Sequence, residues 1–125
     1  MGDITKNFDR KEFACHGEGC CGHSAPISIK LVHALQELRD IAGMLVVDCG
    51  FRCNMHNAAI SHAQNSQHPL GTAADIRSPY HTPDLLADMA ETVGLFYRGG
   101  IGIYNWGIHV DIRTDGSARW RENET

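Results

Sequence analysis

The segment 66–75, Ser-Gln-His-Pro-Leu-Gly-Thr-Ala-Ala-Asp, constrains this chain more than any other. It places an imidazole, His68, and a carboxylate, Asp75, seven positions apart across a turn of small residues. Gly71 gives the backbone freedom to reverse. Ala73 and Ala74 permit close approach, so a short buried strand over 72–76 returns Asp75 to the neighbourhood of His68. Further along, Gly107-Ile108-His109-Val110-Asp111 supplies a second imidazole. Two histidines and one carboxylate are the donor set of a catalytic zinc that keeps its fourth position for water. A fold that honours this pattern must converge residues 68, 75 and 109, and the chemistry to expect there is hydrolysis.

The remaining elements follow from periodicity and punctuation. Leu31, Leu35, Leu38 and Ala42 recur at helical spacing, with Ser28 as cap and Gly43 as stop, which predicts the main core helix over 28–43. The β-branched run 45–49 reads as a strand leading to Arg52, and residues 55–62 favour a short helix. Thr82-Pro83-Asp84 is a helix start, with a capping hydroxyl, a proline in the first turn and an acid at the positive end of the dipole. Its buried stripe is Leu86, Met89, Ala90 and Val93, and Gly94 is expected to end it. Strands over 100–104 and 108–113 are joined by the turn Asn105-Trp106-Gly107 into a hairpin. This succession predicts an α+β fold in which helices cover one face of an antiparallel sheet. The metal would lie on the other face. Residues two apart on a strand point the same way, so His109 and Asp111 share a face.

With 125 residues the chain has the size of one domain, 1–125, in which residues 1–25 form an irregular arm rich in Cys, His and Gly. A net charge of -4 gives no electrostatic case for nucleic acid, and no basic cluster points to a membrane surface. No apolar run is long enough to span a bilayer, and residues 1–10 are too polar for a secretory signal. The product is therefore expected to start in the cytosol. Small size and the lack of heptads predict a monomer.

The pattern Ser-x-His-x-x-Gly-x-Ala-x-Asp followed by a His-x-Asp strand resembles the zinc D-Ala-D-Ala carboxypeptidase family, whose fold is shared with the hedgehog signalling domain. The likeness extends to Gly50-Phe51-Arg52-Cys53 with Asn57, to the run 99–104, and to Ala118-Arg119-Trp120. It covers nearly the whole chain and is strongest toward the compact phage-type and bacterial branch that cleaves peptidoglycan peptides. The resemblance implies zinc ligation by His68, Asp75 and His109. It also implies that Arg52 contacts the substrate, a role that suits a planar, permanently charged guanidinium facing a carboxylate or a developing oxyanion. Ser66 and Gln67 are candidate hydrogen-bond donors near the metal, and Trp106 or Tyr104 candidate walls of the pocket.

One departure bears on mechanism. Many members of the family carry an acid three residues before the last histidine ligand, where this chain has Trp106. Asp111 is the candidate for the missing general base. The competing roles for it are a metal ligand or an acceptor that orients an imidazole.

The five cysteines form a separate question. Cys15, Cys20 and Cys21 lie in the arm, while Cys49 and Cys53 flank Arg52. In a cytosolic product such a set fits a structural zinc that ties the arm to the body, although the spacings are looser than the usual knuckles. Disulfides or free thiols are the alternatives, and the odd count leaves at least one thiol outside any fully paired scheme.

Two functions are consistent with these residues. The first is a zinc metallopeptidase cleaving peptidoglycan stem peptides, as a D,D-carboxypeptidase or a cross-link endopeptidase, made in the cytosol and reaching the cell wall through phage-mediated release as an endolysin does. The second is a non-catalytic binding module of the same zinc-containing fold, which the missing acid keeps open.

Overall fold

The computed structural model describes residues 5–9, 27–49 and 71–122. Helix α1 spans Ile29–Ala42, β1 Val46–Cys49, β2 Ala73–Arg77, α2 Pro83–Ala90, the short α3 Gly94–Tyr97, β3 Gly100–Ile103, β4 Ile108–Asp111 and β5 Ala118–Arg121. The strands form one sheet in the order β1-β2-β4-β3-β5.

Local chemistry sets these boundaries. The Ser28 hydroxyl accepts from the Leu31 N–H at the first turn of α1, and Gly43, at φ 84°, ends that helix while its N–H bonds the Arg39 carbonyl. Thr82 caps α2 in the same way through the Leu85 N–H. The expected end of α2 at Gly94 is corrected: the helix stops at Ala90, and Gly94 instead opens α3. The cause is Thr92, whose hydroxyl and N–H both bond the Met89 carbonyl, at 2.6 and 3.1 Å, drawing the last turn out of the α-helical pattern.

The expected antiparallel sheet is also corrected. β1, β2, β4 and β3 pair antiparallel, but β5 joins the edge of β3 in parallel, so the sheet is mixed. After β4 the chain crosses back through 112–117 and runs alongside β3. Arg119 pins this return by donating to the carbonyls of Gly99 and Tyr97 and to both oxygens of Glu91. These bonds tie β5 to both α2 and α3.

One face of the sheet builds the core. Ala74, Ile76, Ile101, Ile108 and Val110 pack with Leu31, Leu35, Leu38, Leu86, Ala90 and Phe96 in a single buried cluster. Helices α2 and α3 lie on β3 and β4, and α1 packs on both of them. Of the arm, residues 5–9 are described. Phe8 is buried in the same cluster, and Asn7 is held to α1 by two hydrogen bonds with Gln36. Alternation then dictates the opposite face. Asp75, His109, Gly102 and Trp120 fall in one row across β2, β4, β3 and β5, and Ala73, Asp111, Gly100 and Ala118 in the next. The expected helix over 55–62 lies outside the described residues. No helix among the described residues is long and apolar enough to cross a membrane.

Candidate metal centre

Asp75 and His109 are register partners on β2 and β4, so both side chains leave the sheet at the same height, on the face opposite the described helices. The Nδ1 atom of His109 is 3.1 Å from Asp75 Oδ1. Two donors on one tetrahedral zinc, each at about 2.0–2.2 Å, stand roughly 3.3–3.5 Å apart. The observed spacing therefore suits an oxygen and a nitrogen that share either a proton or a divalent ion.

The other edge of the ring is committed elsewhere. Nε2 of His109 is 2.8 Å from Oδ2 of Asp111, a residue fully shielded from solvent. Asp111 takes part in five hydrogen bonds: that one, and those donated by the Gly100 N–H at 2.9 Å, the Arg113 N–H at 3.1 Å, Arg113 Nε at 2.8 Å and Arg113 Nη2 at 2.7 Å. A carboxylate offers about four lone-pair directions, so this one has no capacity left for water. Burial pushes the Asp111 carboxyl up, but the Arg113 fork and then His109 outweigh it and hold the group well below the usual carboxylate range. For His109, burial works against the charged ring, yet the bonds to Asp111 and Asp75 win and push its pKa up.

Two glycines make room for this arrangement. A Cβ on Gly100 would sit 2.3 Å from Asp111 Oδ2, and one on Gly102 would sit 2.2 Å from Cε2 of Trp120. With both side chains absent, the carboxylate and the indole lie directly over β3. Trp120 then rests against His109, with ring centroids 5.0 Å apart and planes inclined at 49°. Its Nε1–H donates to the Tyr104 hydroxyl at 2.9 Å, and Tyr104 stacks on Trp106 at 5.0 Å. An aromatic wall thus runs from the imidazole to the β3–β4 turn.

Of the residues singled out from the sequence, the structure brings Asp75, His109 and Asp111 together and places Trp106 at the far end of the wall. His68, Arg52, Ser66, Gln67, Cys15, Cys20, Cys21 and Cys53 lie outside the described residues, and of Cys49 only the backbone is described, opposite Asp75. Among the described residues no three donors converge on one point, because Asp111 sits on the far side of the ring from Asp75. Arg113, Trp120 and the two glycines were not read as site residues from the sequence. Alternation, which puts residues 109, 111 and 113 on one side of the strand, is the signal for Arg113, while Gly100, Gly102 and Trp120 fall in the runs 99–104 and 118–120 that carry the family resemblance.

The comparison with known families agrees with this geometry. The family model described as Peptidase M15 matches residues 6–111, a span that takes in α1, β1, β2, α2, α3, β3 and β4 with Asp75, His109 and Asp111. No curated protein matches the chain. A match over most of the chain, which takes in the Asp–His pair of β2 and β4, shows the family: this protein belongs to the M15 peptidases, the zinc D-Ala-D-Ala carboxypeptidase family.

Proposed function

We propose that this protein is a zinc-dependent peptidase that hydrolyses peptidoglycan stem peptides, as a D,D-carboxypeptidase or a cross-link endopeptidase. The observation that carries this reading is the 3.1 Å approach of Asp75 Oδ1 to His109 Nδ1, with the opposite ring nitrogen engaged by buried Asp111. His68, Asp75 and His109 would hold the ion. When bound, zinc supplies a Lewis acid and a water acidified toward neutral pH.

The chain's own groups do the rest. Asp75 and His109 are fixed in register by the β2–β4 ladder, so little reorganisation is needed to present both donors. Among the roles open to Asp111, burial and five hydrogen bonds favour orientation of the His109 ring over proton transfer from water, since the carboxylate reaches no solvent. Arg52 is the group suited to hold a substrate carboxylate or steady a developing oxyanion, Ser66 and Gln67 to donate hydrogen bonds beside it, and Trp106 to flank the bound peptide. We place the site of action at the cell wall, reached after phage-mediated release as an endolysin is, with the protein acting as a single-domain monomer.

Incubating the zinc-loaded protein with purified murein, with and without a chelator, tests the function. Chelator-sensitive release of peptide fragments or D-alanine is expected. Absence of release from every murein type, at full zinc occupancy, rejects the peptidase in favour of a zinc-holding binding module.

A further inference from the structure

We propose that Arg113 is a positioning residue of the metal site, holding Asp111 and Trp120 so that His109 presents Nδ1 to the metal; this rests on the zinc site proposed above. Residues 109, 111 and 113 project from the same side of the chain as it leaves β4, so the guanidinium returns along its own strand to the carboxylate. There it grips both oxygens, Nε on Oδ1 at 2.8 Å and Nη2 on Oδ2 at 2.7 Å. Such a two-point contact fixes the plane of the carboxylate, which a single point charge cannot do. The Gly100 N–H on Oδ1 closes the remaining freedom and leaves Oδ2 directed at His109 Nε2.

The same guanidinium reaches the second neighbour of the ring. Its central carbon lies 5.6 Å from the centre of the Trp120 indole, within cation–π range, and that indole lies 5.0 Å from the imidazole. One side chain therefore holds both the hydrogen-bond acceptor and the packing surface that set the orientation of the ligand ring. It is itself mostly shielded, with 20% of its side chain exposed.

A merely structural arginine would neutralise buried Asp111 and do nothing more. The Arg113→Lys variant separates the two roles, because lysine keeps the charge and lacks the fork. Positioning predicts that metal-free Arg113→Lys keeps most of the wild-type thermal stability, while its zinc dissociation constant, measured by chelator competition, rises about 10–100-fold. The same rise, with a larger loss of stability, is expected for Arg113→Gln. Wild-type zinc affinity in Arg113→Lys would overturn the inference. A second readout needs no variant: in zinc-loaded wild-type protein the His109 Nε2 proton should be visible by NMR and protected from solvent exchange, and rapid exchange would also overturn it. Failure of the wild-type chain to take up zinc would overturn this inference together with the function beneath it, whereas zinc uptake with unchanged Arg113→Lys affinity overturns the inference alone.

Discussion

Replacing His109 with alanine is expected to lower zinc content after dialysis from about one ion per chain to a small fraction of that, and to cut peptide release from murein by at least about 10³-fold. The expectation follows from the site's construction. His109 is nearly buried between two carboxylates, and without its Nδ1 the proposed centre keeps only Asp75 and His68. Two protein donors hold zinc far less firmly than three, and the Lewis acidity and water acidification that the ion would supply, contributing several kcal/mol to the barrier reduction, would leave with it. Elemental analysis beside a murein assay measures both quantities. An alanine variant with stoichiometric zinc and undiminished turnover would remove His109 from the site.

The second large effect is on stability. Asp111→Ala is expected to destabilise the metal-free protein by roughly 3–5 kcal/mol, because it strips the partner from a shielded guanidinium and a nearly buried imidazole. The midpoint of thermal unfolding should fall by about 10–20 °C for a domain of this size. The pH dependence has a definite sign. Asp111 titrates below its ordinary value in the folded chain, so its contribution is complete above about pH 4 and is lost only as pH falls through the lower folded value. His109 titrates above its ordinary value, so in the metal-free protein its contribution is complete below about pH 6.5 and fades as pH rises through the raised value. The gap between wild type and Asp111→Ala should therefore persist through mildly acidic buffers and close only in strong acid. Urea unfolding at a series of pH values checks this, and a gap below 1 kcal/mol at pH 6 would contradict it.

Much of this arrangement was legible because it is local. Ser28, Gly43 and Thr82 act through bonds within one turn, so the starts of α1 and α2 and the end of α1 follow from residue type and position. Period-two alternation placed His109 and Asp111 on one face, and the turn at Asn105-Trp106-Gly107 closes the β3–β4 hairpin through the Tyr104 N–H and the Gly107 carbonyl. What was not legible is non-local. The Ala-Arg-Trp-Arg run of β5 pairs in parallel with a strand nearly twenty residues earlier, and nothing in its own pattern names that partner. Without that pairing Trp120 had no reason to be placed beside His109. Glycine at 100 and 102 reads as turn chemistry until the carboxylate and indole they admit are in place. Asp111 has the residue type of a general base, and only its burial and its five hydrogen bonds favour a different role. The end of α2 is hidden for a related reason: Thr92 competes for the Met89 carbonyl and stops the helix at Ala90, four residues before the glycine that looks like its stop.

Anomalous scattering at the zinc edge from metal-soaked crystals would show whether Asp75 and His109 Nδ1 are ligands of one zinc ion. One peak is expected, about 2.0–2.2 Å from an Asp75 oxygen and from His109 Nδ1, with Asp111 still bonded to Nε2. A zinc bound through Nε2, or a fully occupied ion distant from both residues, would contradict it.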